Sequence, residues 1–234
     1  MKLGLRSPAI LPFIRVDCET IGKGTKPHGV LVVGESWAVG RRLFPALHQA
    51  VAERLDHGPV RVCTIGLSGR NSAKIHTQFT ATFPKAELLR LFDDQPPDNV
   101  VLLTGVNDIA QHIGASQYSS FTKKLTDHLS FAPKIEVVTV PRVDELGIRS
   151  PSKFGQIKWH IQRYLNDGGE REVAETYRER LRRDHPEIAT IDFDAFIPSF
   201  AGNEAFYMPD GMHLTPDGYQ RYGAFIGSSI SLNT

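Results

Sequence analysis

Five short β-rich runs alternate with stretches of helical periodicity along most of the 234-residue chain. The runs are Val30–Val33, Val60–Ile65, Val100–Thr104, Ile135–Val140 and Ile188–Ile191. Between the first two runs, apolar residues recur every four positions from Val39 to Leu55, which is typical of one buried helix face. Alternation of strands and helices predicts a parallel sheet that helices cover on both faces. The sequence therefore indicates an α/β fold.

Length and composition limit the number of domains and the classes of partner. A chain of this length with 41% hydrophobic residues is long enough for one domain with a substantial core. We assign residues 29–234 to that domain and residues 1–28 to an extended N-terminal arm, because proline and glycine are frequent there. The formal net charge of +1 gives no indication of binding to nucleic acid or to an anionic membrane. No apolar run is long enough to predict a membrane span.

The cysteines and the first residues of the chain bear on its compartment. Two cysteines, Cys18 and Cys63, are too few for a disulfide framework. Cys63 lies in the apolar run VRVCTI, where a cysteine acts as a small buried hydrophobic residue. Residues 1–28 contain no continuous apolar stretch of signal-peptide length. We therefore expect a reducing, cytoplasmic location.

Residues suited to chemistry follow three of the predicted strands at the same end. Ligands of an open parallel sheet bind beyond the carboxyl ends of the strands, where the strand order reverses. If the order is 2-1-3-4-5, Ser36 and Asn107 lie on opposite sides of one crevice, with Gly69 beside Ser36. Asp210 and His213 follow the fifth strand, so the chain can return to the same edge.

These residue types fit nucleophilic catalysis. A serine nucleophile needs a base, and the base needs a group that orients it. Ser36 is the candidate nucleophile, His213 the candidate base and Asp210 the candidate orienting group. The backbone amides of Ser36 and Gly69 and the side-chain amide of Asn107 are candidate donors to an oxyanion. The remaining histidines show no metal-ligand spacing, so we expect neither a metal site nor a cofactor.

Four motifs, in chain order, resemble the conserved blocks of the SGNH/GDSL hydrolases. They are GESW with Ser36, GLSGRNS with Gly69, GVND with Asn107, and PDGMHLTPDGY with Asp210 and His213. The resemblance extends from about Gly29 to about Ile230. It implies a flavodoxin-like, three-layer α/β/α fold with a five-stranded parallel sheet, and hydrolysis of esters or thioesters through Ser36. Glu35 stands where the family usually has aspartate, and Trp37 replaces a smaller residue.

The substrate is predicted from residues near the motifs. The Trp37 ring follows the nucleophile and would limit the depth of the acyl pocket. A basic excursion follows the fourth strand, with a predicted helix around Ile157–Leu165, and its Arg142 and Arg149 would contact a polar alcohol unless they are ordinary surface charges. We expect an acetyl ester of a small polar or carbohydrate-like alcohol. An O-acyltransferase, a long-chain thioesterase or lysophospholipase, and a non-catalytic binding module remain alternatives, and the oligomeric state is open.

Overall fold

A six-stranded sheet forms the centre of the protein. The computed structural model describes residues 12–39, 42–144 and 174–232, together with Ile157, Ile161, Tyr164 and Leu165. The strands are β1 (Ile14–Ile21), β2 (His28–Gly34), β3 (Val60–Leu67), β4 (Asn99–Leu103), β5 (Ile135–Val138) and β6 (Ala189–Ile191). Their spatial order is β1-β3-β2-β4-β5-β6, and every pair is parallel except β1 with β3. The predicted 2-1-3-4-5 order of the five parallel strands is confirmed.

Helices cover both faces of this sheet. They are α1 (Phe44–Arg54), α2 (Ser72–Thr82), α3 (Lys85–Arg90), α4 (Val106–Ala110), α5 (Ala115–His128), α6 (Ala174–Asp184) and α7 (Pro216–Ser229). Helices α1 and α7 pack with one another in one core cluster, and α2, α3, α5 and α6 pack in the other. Alternate residues of β2 divide between the clusters, Leu31 and Val33 facing one and Val30 and Val32 the other. The predicted α/β class is therefore confirmed.

Residues 14–21 form strand β1, although the sequence analysis places them in an extended arm. All eight pair with β3 in antiparallel register, from Ile14 opposite Leu67 to Ile21 opposite Val60. Cys18 faces Cys63 in this pairing, and their sulfur atoms are joined in a disulfide. The expectation that Cys63 is simply a small hydrophobic residue is wrong, although its burial is confirmed. Disulfides persist in oxidising compartments, so this bond removes one argument for a reducing location.

The excursion after β5 lies largely outside the described residues. Within the predicted helix around Ile157–Leu165, the structure describes Ile157, Ile161, Tyr164 and Leu165 as helical. Their side chains are 58%, 54%, 72% and 76% exposed, respectively. Spacings of four, seven and eight residues place all of them on one helix face. Among the helices that the structure describes, none combines the length and apolar character needed to cross a membrane.

Candidate active site

Three loops meet where the central strands end. Gly34 at the end of β2 pairs with Gly66 of β3 and with Leu103 of β4. A Cβ atom on Gly34 would lie 2.3 Å from the Leu103 carbonyl oxygen, so the backbones approach too closely for any larger residue. The loops that leave these three strands carry Ser36, Gly69 and Asn107. Strand pairing therefore brings the three residues to one edge of the sheet.

A chain of hydrogen bonds joins Ser36, His213 and Asp210. Ser36 Oγ lies 2.9 Å from His213 Nε2, and His213 Nδ1 lies 2.7 Å from Asp210 Oδ2. Burial acts to raise the pKa of Asp210, but bonds from His213 and from the Met212 N–H hold it below its ordinary value. An ionised Asp210 keeps the proton of the imidazole on Nδ1. Nε2 is then left to accept the proton of the Ser36 hydroxyl.

The turn that carries His213 is held by several backbone bonds. The Gly211 N–H donates to the Met208 carbonyl at 2.9 Å, and the Met208 N–H donates to the His213 carbonyl at 2.7 Å. Gly211 has a φ of 64°, and a Cβ there would lie 2.5 Å from the Cβ of Asp144. Thr215 then caps α7 by accepting the Gly218 N–H at 3.1 Å. The imidazole is therefore mounted on a tight turn fixed at the start of a helix.

Three hydrogen-bond donors lie on the loops that meet at this edge, and two of them have no protein acceptor among the described residues. Within the described ranges, neither the Ser36 N–H nor the Gly69 N–H has an acceptor at hydrogen-bond distance. Gly69 has a φ of 68°, and nothing lies within 4 Å of a Cβ built on it. Asn107 Nδ2 donates to the Arg70 carbonyl at 3.3 Å, and its side chain also lowers the pKa of Glu35 by hydrogen bonding, so an oxyanion would compete with these protein acceptors. These donors suit a developing negative oxygen.

Two buried carboxyl side chains, Glu35 and Asp108, connect these loops by hydrogen bonds. Glu35 is 1% exposed, and its oxygens accept the Val106 and Asn107 N–H groups at 2.8 and 2.7 Å. Asp108 accepts the N–H and hydroxyl of Ser72 at 2.9 and 2.6 Å. Burial, followed by the charge of Asp108, raises the pKa of Glu35 to about 8, although both backbone bonds lower it. Burial also raises the pKa of Asp108 to about 6.

We expect the free energy of unfolding to fall as pH rises from 5 to 8, because Glu35 binds a proton more tightly in the native state. A native pKa of about 8 exceeds the ordinary glutamate value of 4.5, so the native state holds a proton that the unfolded state has lost in this window. Each pKa unit between the native and the unfolded state corresponds to about 1.4 kcal/mol of unfolding free energy. Urea unfolding at several pH values should show a smaller fall for Glu35→Gln than for the wild type. Glu53→Gln, at an exposed carboxylate, should keep the wild-type slope, and equal slopes for both variants would contradict the assignment.

The residues predicted to contact substrate have different surroundings. Trp37 is 1% exposed and packs edge-on against Phe193, Tyr219 and Tyr222. It is a core residue, so a role of its ring in limiting the acyl pocket stays a prediction. Arg142 donates to Asp194 at 3.0 and 2.7 Å and to Glu175 at 2.8 Å. These bonds pair its charge, so substrate contact by Arg142 stays a prediction, and Arg149 lies outside the described residues.

Sequence reasoning missed a side chain that contacts the Gly69 loop. Gln111 Nε2 donates to the Gly69 carbonyl at 3.0 Å. Gln111 follows Asn107 by four residues, so both project from the same side of α4 toward this loop. The four-residue spacing is visible in the sequence, but the partner is a backbone carbonyl, which every residue has, so the sequence does not indicate the contact.

Similarity to known proteins identifies the family. The model of the GDSL-like lipase/acylhydrolase family matches residues 31–221 of the chain. The protein belongs to this family. The resemblance of the four motifs to the SGNH/GDSL hydrolases is thereby confirmed, and membership makes the protein a carboxylic ester hydrolase. No curated protein sequence matches the chain significantly. Among the described residues, no three His, Cys, Asp or Glu side chains are grouped to hold a metal ion.

Solved structures of several lipases and esterases share the fold. A lipase/acylhydrolase from Enterococcus faecalis has a TM-score of 0.60 at 18% identity, covering 85% of this chain and 93% of its own. A lipase from a goat rumen metagenome has a TM-score of 0.57 at 13% identity, with coverages of 86% and 96%. A catalytic mutant of an acetylxylan esterase from Geobacillus stearothermophilus has a TM-score of 0.55 at 15% identity, with coverages of 91% and 97%. At these identities the likeness shows a common fold.

Proposed function

We propose that the protein is a serine esterase that forms an acyl-enzyme on Ser36. The observation that carries this proposal is the continuous chain of bonds from Ser36 Oγ through the His213 ring to Asp210, at 2.9 and 2.7 Å. A serine hydroxyl that only caps a helix has no need of an imidazole whose other nitrogen is held by a carboxylate. A pure binding module has no need of it either.

Acylation begins when His213 Nε2 takes the hydroxyl proton as Ser36 Oγ attacks the ester carbonyl carbon. The carbonyl oxygen becomes an oxyanion, which accepts hydrogen bonds from the Ser36 and Gly69 N–H groups and from the Asn107 amide. The tetrahedral intermediate then collapses. The bond to the alcohol oxygen breaks, and the imidazolium of His213 gives its proton to that oxygen. The acyl group remains on Ser36 Oγ.

Deacylation repeats these steps with water as the nucleophile. His213 takes a proton from the water while the water oxygen attacks the acyl carbon. The second tetrahedral intermediate expels Ser36 Oγ, which recovers its proton from His213, and the carboxylic acid leaves. An alcohol in the place of water would give a new ester instead. Hydrolysis and acyl transfer therefore share the enzyme intermediate and differ only in the acceptor.

For the substrate we propose a short acyl group, most simply acetyl, on a polar or carbohydrate-like alcohol. Support comes from the surface beside Gly69, where Arg70 and Lys74 provide polar side chains. Such groups suit hydroxyl-rich leaving groups better than they suit a long hydrocarbon chain. Trp37 is buried among aromatic side chains, so the proposal depends on this polar surface rather than on the depth of the acyl pocket.

A long-chain ester is the second candidate, and one observation favours it. Ile157, Ile161, Tyr164 and Leu165 expose more than half of their side chains on one helix face. Their segment follows Asp144 in the sequence, and the Asp144 N–H donates at 2.9 Å to the carbonyl of Gly211 in the turn before His213. An exposed apolar helix face on this segment would suit a hydrocarbon chain.

A series of p-nitrophenyl esters from acetyl to dodecanoyl separates the two candidates. We expect kcat/KM to fall steeply between acetyl and octanoyl, because a polar site gains nothing from added methylene groups. Ser36→Ala, assayed in parallel, corrects for spontaneous hydrolysis. A maximum at octanoyl or longer would refute the short-acyl proposal in favour of the second candidate. Addition of a sugar acceptor, with mass spectrometry of the products, then shows whether the acyl group passes to an alcohol.

A further inference from the structure

One side chain bridges the Gly69 loop and the start of helix α2. Gln111 Nε2 donates to the Gly69 carbonyl at 3.0 Å, while Gln111 Oε1 accepts from Asn71 Nδ2 at 2.9 Å. Lys74 Nζ lies 3.5 Å from the same Oε1. We call this arrangement of Gln111, Gly69 and Asn71 the Gln111 bridge. It uses both ends of the glutamine amide, so its orientation is fixed by its partners.

Both supports of the Gln111 bridge are anchored in helices. The Gln111 N–H donates to the Asn107 carbonyl at 2.9 Å, where α4 ends. Asn71 is buried and caps α2, because its Oδ1 accepts the Lys74 N–H at 3.0 Å. The Asn71 carbonyl accepts the Ile75 N–H at 2.8 Å. Gln111 therefore connects Gly69 to two fixed helix ends rather than to another loop.

The Gln111 bridge contacts Gly69, a residue with few other contacts. Gly69 is exposed, has a φ of 68°, and would have nothing within 4 Å of a side chain. Glycine has the widest choice of backbone conformations, so such a residue reorients easily. The peptide unit between Gly69 and Arg70 is planar. Its carbonyl, that of Gly69, accepts from Gln111, and the Arg70 N–H at its other end donates to the Leu67 carbonyl at 3.2 Å. Fixing this plane limits the directions that the preceding Gly69 N–H can take.

We propose that Gln111 is a positioning residue that keeps the Gly69 N–H directed at the oxyanion during ester cleavage. The inference rests on the proposed function, since it assigns the Gly69 N–H as an oxyanion donor. Gln111 itself touches neither the substrate nor the reacting atoms. It acts through a backbone donor that must already point at the oxygen when the negative charge develops.

The test is Gln111→Glu, which preserves the shape of the side chain. A glutamate still accepts from Asn71 and Lys74, but it places an oxygen against the Gly69 carbonyl in place of the donor. We expect kcat to fall between about 10- and 100-fold, as for a misplaced catalytic group, with KM changed less than about 2-fold. Asn107→Ala, which deletes a donor outright, should lower kcat by roughly 10²–10³ and gives the upper limit of the expected loss.

Gln78→Glu is the matched control. Gln78 Oε1 accepts from Arg70 Nε at 3.1 Å, so a glutamate there adds the same charge beside the same loop and retains the bond. We expect wild-type kcat for this variant and wild-type thermal unfolding for both glutamates. Equal losses of kcat in the two variants would assign the effect to charge, and an unchanged kcat in Gln111→Glu would also overturn the proposal.

A boronic acid inhibitor separates positioning from a structural role. It forms a tetrahedral adduct that resembles the intermediate, so its binding depends on the same donors. We expect its inhibition constant to rise in Gln111→Glu by about the factor by which kcat/KM falls. An unchanged inhibition constant would refute positioning. Failure of the proposed function would appear separately as esterase activity that survives Ser36→Ala, whatever Gln111→Glu does.

Discussion

Replacing Ser36 with alanine is expected to lower kcat by about 10⁵–10⁶, the loss typical of removing a serine nucleophile. The Ser36 hydroxyl is partly exposed, and its bond to His213 is its single hydrogen bond within the described residues. Deleting it should therefore change the midpoint of thermal unfolding very little. Steady-state kinetics on p-nitrophenyl acetate and thermal unfolding of the same preparations measure the two quantities.

A neighbouring serine provides the control for this variant. Ser68 lies beside Gly69 and is also partly exposed, but the hydroxyl bonded to His213 Nε2 is that of Ser36. Ser68→Ala should retain wild-type activity. A fluorophosphonate should label the wild type and Ser68→Ala once, on the peptide that contains Ser36. Turnover near the wild-type level in Ser36→Ala, or an adduct on a different peptide, would refute the acyl-enzyme.

The parallel strands could be predicted because burial dictates their composition. A strand covered on both faces must be apolar throughout, and β2 and β4 are buried almost end to end. Strand β1 could not be recognised in the same way. It is an edge strand with Arg15, Asp17 and Glu19 among its eight residues, so its sequence resembles a solvated arm. Its place depends on pairing with β3, and so does the disulfide between residues 45 positions apart.

The burial of Trp37 has a simple geometric reason. Ser36, Trp37 and Ala38 form a 3₁₀ turn. With three residues per turn, adjacent side chains point about 120° apart. When Ser36 faces the crevice, Trp37 must face into the protein, where Phe193, Tyr219 and Tyr222 surround it. Adjacency to Ser36 in the sequence is therefore not enough to place the Trp37 side chain in the crevice.

The candidate site could be predicted in part, for a physical reason. Serine and histidine side chains such as those of Ser36 and His213 reveal their chemistry by their residue type, and the ends of the predicted strands indicate where they meet. Glu35 and Gln111 act on backbone groups instead. Glu35 accepts two N–H groups some 70 positions along the chain, and Gln111 donates to a carbonyl. Since every residue has such groups, only the three-dimensional distances reveal these contacts.

Replacing His213 with alanine is expected to lower kcat nearly as far as Ser36→Ala, because the Ser36 hydroxyl then has no base within reach. The losses should not add. The double variant should be about as active as either single variant, since serine and histidine act as one unit. Asp210→Ala should cost less, about 10⁴, although it also removes acceptors for the Met212 and His213 N–H groups.

Added imidazole distinguishes loss of the base from loss of the fold. It can occupy the space left by the His213 ring and accept the hydroxyl proton, so it should restore part of the activity of His213→Ala. It should restore none to Ser36→Ala, which has no hydroxyl to deprotonate. His185→Ala, at a histidine outside the crevice, should keep wild-type kcat. Additive losses in the double variant, or equal stimulation of both single variants by imidazole, would mean that Ser36 and His213 do not form one catalytic unit.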